Sequence, residues 1–293
     1  MTTGGEGPAG TPGEGAARGR IRRRGRLLTL ASAALLGLVA WAALRDLPSV
    51  RAWMYHLAWY ATLPLLAGGF AWRTGRWPFR SAGFAVSLFF WSAPTWFVFE
   101  LLNLRLANWY YVWADPRAAV RWIAAFTAFA TVMPALFLAY RWCAELGVAE
   151  GLRGPAFEVG PGVRSALTFL GVGFLGLVLW RPDLFYPLVW GALTLILEPR
   201  NHRRDPGGSL LGDLAAGRWA RPVRLLVGGL FIGLLWEGYN VLADTRWIYT
   251  VPGLEGSKLG EMPLPGFLGF PVLALDCFVV YRFLAGLRIA APG

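Results

Sequence analysis

Two acid–amide pairs stand inside apolar stretches of this chain, Glu100-x-x-Asn103 and Glu237-x-x-Asn240. Residues three apart share a helix face, so each pair presents a carboxyl beside an amide able to orient it. Ionisable side chains inside a bilayer are costly, and their positions are functional hypotheses by default. Two such acids brought together can share a proton, one acting as donor and the other as base. Asp276, about ten residues into a later apolar run, and His56, in an earlier one, are further candidates. Trp96, Trp236 and Tyr239 lie beside the acids, while Trp247 and Tyr249 follow the second pair. Aromatic faces stabilise cations, including one produced by protonating a polyene. The expected catalytic set is therefore Glu100, Glu237, Asn103, Asn240 and Asp276. The expected substrate contacts are His56, Trp96, Trp236, Tyr239, Trp247 and Tyr249.

These residues need an apolar medium around them, and the composition supplies one. Of 293 residues, 56% are hydrophobic and 15% charged, with a net charge of +11. Soluble domains run to roughly 45–50% apolar and about 25% charged, so a soluble enzyme and a disordered protein are both excluded. The cations are nearly all arginine, Lys258 being the one lysine, and they sit between the apolar runs rather than along a groove that could take nucleic acid. Residues 1–20 are Gly/Pro/Ala-rich and are expected to form a disordered tail. Eight runs follow, at about 27–44, 52–72, 83–102, 122–140, 166–180, 185–198, 225–242 and 267–287. The fifth and sixth are short and form either a tight hairpin or a re-entrant pair. With the N-terminus inside, the inner segments carry 20 of the 28 Lys and Arg. The positive-inside bias thus places both termini in the cytoplasm of a bacterial-type inner membrane.

The sequence also repeats itself. Glu100-x-x-Asn103 recurs as Glu237-x-x-Asn240 at an offset of 137, as do Asp46-Leu47 with Asp183-Leu184 and Trp53 with Trp190. Trp109-Tyr110-Tyr111 recurs as Trp247-Ile248-Tyr249 at 138, and Gly75-Arg76-Trp77 as Gly217-Arg218-Trp219 at 142. The expected architecture is all-α, a polytopic membrane bundle of about eight helices in two parallel four-helix repeats. A basic tail covers 1–26, the first repeat 27–145, a cytoplasmic linker 146–163 and the second repeat 164–290. Sites in duplicated membrane folds tend to lie between the halves, which would bring Glu100, Asn103, Glu237, Asn240 and His56 together in the outer half of the membrane.

A structural reading stands beside the chemical one. Each acid could pair with an interfacial arginine, Arg105 or Arg246, and simply hold helices together. Trp109, Tyr110, Tyr111, Trp247 and Tyr249 could form an outer aromatic belt. Glu198-Pro199-Arg200-Asn201-His202-Arg203-Arg204 reads as a solvated basic loop near anionic headgroups, with phosphate binding as an alternative. The prolines of Glu261-Met262-Pro263-Leu264-Pro265-Gly266-Phe267 force an extended entry into the last span, folding that loop back over Glu237. Cys143 and Cys277 have no metal or redox spacing. Phosphate-loop, zinc-hydrolase, nucleophile-elbow and haem motifs do not occur in the sequence, so no cofactor or metal is expected.

The order Trp236-Glu237, Trp247-Ile248-Tyr249, Gly260-Glu261-Met262-Pro263 and Phe267-Leu268-Gly269-Phe270 resembles the small integral-membrane carotenoid enzymes, the lycopene cyclases and carotenoid hydratases. The resemblance covers about 50 residues of the second half, and the first half only through Glu100 and Trp109 to Tyr111. It departs at Pro263, which is followed by Leu264-Pro265-Gly266 where the cyclases carry paired acids. It implies a cofactor-independent acid/base enzyme working on a membrane-dissolved isoprenoid or other lipid. Glu237 would be proton donor or base, Glu100 its partner, and the two asparagines would orient them. A small-solute or proton-coupled transporter and a non-catalytic scaffold or assembly protein are the other readings. Membrane lipids are the expected partners in all three, and the sequence fixes no oligomeric state.

Overall fold

The computed structural model describes residues 12–113, 115–254 and 256–292 and is mostly helical. Five stretches are long and apolar enough to cross a membrane: Gly13–Leu44, Ala82–Leu106, Ala118–Glu145, Pro161–Trp180 and Leu264–Gly286. Helix α1 (Pro12–Leu44) takes in the arginine cluster and much of the expected tail, because arginine is a good helix former. The tail's first eleven residues lie outside those described. A short α2 (Pro48–Ala52) leads into α3 (Met54–Thr74), which returns along α1. The two cross at glycine. A Cβ on Gly25 would stand 2.7 Å from the Gly68 carbonyl oxygen, and one on Gly68 would stand 2.9 Å from Thr29 Oγ1. Only small residues let two helix backbones approach this closely.

Helix α4 (Ala82–Leu106) carries Glu100 and Asn103 and passes into strand β1 (Trp109–Val112). The next crossing is two helices, α5 (Ala118–Phe129) and α6 (Val132–Glu145). Then come α7 (Pro161–Trp180), a turn of helix α8 (Pro182–Phe185), a 3-10 turn over Tyr186–Val189 and α9 (Ala192–Arg204). The sixth apolar run is thus broken halfway, with Gly191 at φ +86°. Helix α9 has no cap of its own. Short α10 (Leu210–Ala215) precedes α11 (Ala220–Leu242), which carries Glu237 and Asn240. Strand β2 (Arg246–Tyr249), the small hairpin of β3 (Lys258–Leu259) and β4 (Met262–Pro263), and α12 (Gly269–Gly286) complete the chain.

Burial sorts these helices. α3 and α11 have many buried positions, among them Trp59, Phe70, Ile232, Trp236 and Asn240. They face protein, so they hold Gly, Trp and polar residues and fall short of the span criterion. α1 and α7 turn Leu38, Leu44, Phe169 and Trp180 outward, as helices facing lipid would. The main core joins both halves of the sequence, with Trp59, Phe99, Leu138, Ile232, Leu273 and Cys277 in one cluster. Cys143 and Cys277 are both free and buried.

The end of the bundle opposite the ribbon is polar. Asp213 pairs with Arg218 at 2.9 Å and Arg221 at 3.0 Å, and Arg282 pairs with Asp205. The expected basic loop Glu198–Arg204 is instead the last part of helix α9: Glu198 is buried and its Oε1 accepts from the Leu211 N–H at 2.8 Å, while Arg200, Arg203 and Arg204 are exposed. The linker is held as well. Gly154 and Phe157 donate backbone hydrogen bonds to the Gly217 and Ala215 carbonyls.

Candidate functional site

Each acid–amide pair organises the chain that follows its helix. Asn103 Nδ2 donates to the Trp109 carbonyl at 2.7 Å, and its Oδ1 accepts from the Asn108 and Trp109 N–H groups. Asn240 does the same one repeat later, donating to the Trp247 carbonyl at 2.9 Å and accepting from the Trp247 N–H at 3.0 Å. A side-chain amide offers both a donor and an acceptor, so each asparagine mimics a strand neighbour and sets the direction of the chain leaving the helix. The two departing strands then pair. β1 and β2 form an antiparallel ribbon in the register Trp109↔Tyr249 and Tyr111↔Trp247.

Side chains alternate along a strand, so Trp109, Tyr111, Trp247 and Tyr249 share one face of the ribbon. That face points into the bundle and meets the two carboxyls. Glu100 Oε1 accepts from Tyr111 OH at 2.5 Å, Trp96 Nε1 at 2.7 Å and Trp109 Nε1 at 3.2 Å. Glu237 Oε1 accepts from Tyr249 OH at 3.1 Å and Trp247 Nε1 at 3.3 Å. Burial, and then the adjacent carboxylate, raises the Tyr111 and Tyr249 hydroxyl pKa values well above the usual 10. Both hydroxyls therefore stay protonated and act as donors. Tyr110, on the other face, is half exposed; a belt reading suits it, while its neighbours turn inward.

Under the ribbon lies a cavity of about 450 Å³, walled mainly by aromatic side chains. Tyr111, Tyr249, Trp109 and Trp247 line it from the ribbon, Trp96 and Trp236 from α4 and α11, and Tyr55 and His56 from α3. The carboxyls and the two asparagines do not line it; they stand behind the aromatic wall, reaching the cavity through the tyrosine hydroxyls. Three buried polar atoms around this wall have no hydrogen-bond partner among the described residues: Asn108 Oδ1, Trp236 Nε1 and Glu237 Oε2. The loop before α12 closes one side with Met262, Pro265 and Gly266, as its prolines imply.

The remaining candidates separate. Asp276 is fully buried and lies elsewhere: it accepts from the Gly191 and Thr194 N–H groups at 2.9 and 2.8 Å and from Thr194 Oγ1 at 2.6 Å. It supplies the missing N-cap of α9 from across the bundle, as a cap carboxylate does. Tyr239 bonds Thr62 Oγ1 at 2.7 Å and packs edge-on against Trp59, outside the cavity wall. His56 Nε2 stands 2.9 Å from the Ala124 carbonyl. Arg105 bonds the Leu179 and Trp180 carbonyls and Arg246 lies 4.0 Å from Glu261, so neither is a counter-ion to Glu100 or Glu237.

Sequence reasoning missed several wall residues. Tyr55 packs edge-on against Trp247 at 5.4 Å, between the two halves. Trp190, noticed only as the match of Trp53, stacks on Phe99 at 5.3 Å and on Trp109 at 6.4 Å. Its position after a helix break was the available signal; Tyr55 had none beyond its place beside His56. Among the described residues, no group of three or more His, Cys, Asp or Glu side chains gathers as a metal site. No family model, curated protein or solved structure matches the chain.

Proposed function

We propose that this is an eight-span membrane protein built from two copies of a four-helix unit. In this reading it is an acid/base enzyme that works without a cofactor on an apolar molecule dissolved in the membrane. The repeated Glu–Asn device and the pairing of the two strands that follow it support the duplication. The observation that carries the function is the pair of Tyr–Glu dyads: Tyr111 and Tyr249 line an aromatic cavity while their hydroxyls donate to Glu100 and Glu237.

Such a dyad is a proton relay. As a substrate proton passes to the tyrosine oxygen, the tyrosine proton passes to the carboxylate behind it; the reverse sequence delivers a proton. With one dyad protonated and the other ionised, a proton can be added at one carbon and removed at another. The net proton count is then unchanged, as in a double-bond shift or ring closure of an isoprenoid. The aromatic faces would stabilise the intervening cation. The resemblance to membrane carotenoid enzymes points to the same chemistry, with the tyrosines interposed between acid and substrate.

The test is a deletion strain complemented with wild type, Glu237→Gln or Tyr249→Phe, with membrane lipids profiled by mass spectrometry. The expected result is one lipid that accumulates unconverted in the deletion strain and in both variants, at wild-type levels of inserted protein. Lipid profiles identical in all four strains would overturn the reading.

A further inference from the structure

A second, smaller chamber of about 100 Å³ adjoins the large one. The two share four wall residues, His56, Trp113, Ala124 and Thr245, and otherwise differ in chemistry. The large chamber is mostly aromatic and aliphatic, and Arg246, which also lines it, faces Glu261 at 4.0 Å. The small one adds Asp115 and Arg121, together with Ala52, Trp53 and Val120. We infer that the two chambers form one site for an amphiphile: the apolar chain lies in the aromatic cavity, and an anionic head, phosphate or carboxylate, sits against Arg121. This rests on the proposed function and names the class of molecule that the site takes.

The sign of the head follows from the charges facing the small chamber. Asp115 is engaged by Arg117, whose guanidinium bonds both carboxylate oxygens, at 3.0 and 2.7 Å, and whose backbone N–H bonds Oδ1 at 2.9 Å. Those bonds hold the Asp115 pKa down to about 2, so this pair is ionised and self-neutralised. Arg121 is half-buried and faces the same carboxylate, so the charges around the chamber come to two cations against one carboxylate. His56 points Nε2 at the Ala124 carbonyl. A neutral ring then donates there and leaves Nδ1 as acceptor, suited to a hydroxyl on a protonated or esterified head. An arginine beside an apolar slot recognises carboxylate and phosphate by charge-assisted hydrogen bonds. A cationic head would meet Arg121 with like charge, and a neutral one would leave the local excess of positive charge uncompensated.

The experiment compares farnesol with farnesyl monophosphate on the full-length protein in neutral detergent, read by quenching of tryptophan fluorescence. Farnesol tests the aromatic cavity alone. Wild type should bind the phosphate about tenfold or more tighter, the scale of one charged hydrogen bond, and Arg121→Gln should bind both probes with the farnesol affinity of wild type. Unchanged farnesol binding certifies that the variant is folded, and Arg121→Lys should restore part of the preference. Equal wild-type affinity for the two probes, or a preference that survives Arg121→Gln, overturns the head-group assignment while leaving the cavity reading standing. Failure of farnesol itself to bind overturns both. Millimolar inorganic phosphate should leave the preference within about twofold, because the chain supplies most of the binding; if it abolishes the preference, the chamber takes free phosphate and not an amphiphile.

Discussion

Glu100 and Glu237 occupy equivalent positions, each one turn before an asparagine and each receiving a Trp N–H and a Tyr O–H from its own strand, yet they are not equivalent chemically. Glu100 is half-buried and its Oε1 takes three donors, the third from Trp96, one turn back on α4. Glu237 is 4% exposed, takes two donors and has Oε2 buried without a partner among the described residues. The difference traces to one position. Where the first half has Trp96, the second has Gly233, and the space a side chain would need is filled by the ring of Phe270, 2.1 Å from where a Cβ would stand. The Phe270 ring of α12 thus stands where the first half has a tryptophan, and the second acid has one donor fewer. The first acid is thus the better partnered of the two, and the second the more deeply buried.

The largest expected effect breaks that comparison at the acids themselves. Glu237→Gln keeps the shape and should cut lipid conversion by about two orders of magnitude or more, as loss of a general acid–base group does. Glu100→Gln should retain markedly more activity, and equal losses would erase the distinction. Next come the asparagines, read by thermal unfolding in detergent. Asn240 is fully buried, so Asn240→Ala leaves both Trp247 backbone groups unpaired away from water and should cost about 2–4 kcal/mol. Asn103 is half-buried, so water can replace its amide and Asn103→Ala should cost about half as much. Gly233→Ala tests the packing origin of the asymmetry. Its Cβ must displace the Phe270 ring, at about 1–3 kcal/mol, and because Phe270 also lines the cavity, farnesol binding should weaken with it.

Sequence reasoning found the apolar helices through composition and the acid–asparagine pairs through their recurrence, because both signals are local or periodic. It placed Trp96, Trp236, Trp247, Tyr249 and His56 near one another, and all five line the cavity. What it could not reach depended on the partner across space. Asp276 looked like a buried acid with chemistry to do, but its partners are the first N–H groups of α9, exposed only because the sixth apolar run breaks at Tyr186–Val189. Tyr239, one turn from the wall on the same helix as Trp236, faces Thr62 instead. The acids themselves stand behind tyrosines, and no spacing in the sequence says which of two neighbouring groups fronts a cavity. Strand alternation does say it once the ribbon is known: Tyr111 and Tyr249 point in, and Tyr110 points out.

The smallest effect sharpens the comparison most. Trp96→Phe keeps an aromatic ring in the cavity wall and removes only the indole N–H, leaving Glu100 with the Trp109 and Tyr111 donors, the same complement that Glu237 has. The loss of one hydrogen bond to a carboxylate should cost only about 1 kcal/mol, a shift of a few degrees in the melting temperature. Its chemical consequence should be larger than its cost. With Trp96 Nε1 gone, Glu100 has the donor set of Glu237, so the residual activity of the Glu237→Gln background should rise when Trp96→Phe is added. Two acids brought to the same donor count would then become partly interchangeable. If the double variant is no more active than Glu237→Gln alone, donor count is not what separates them, and the deeper burial of Glu237 must be.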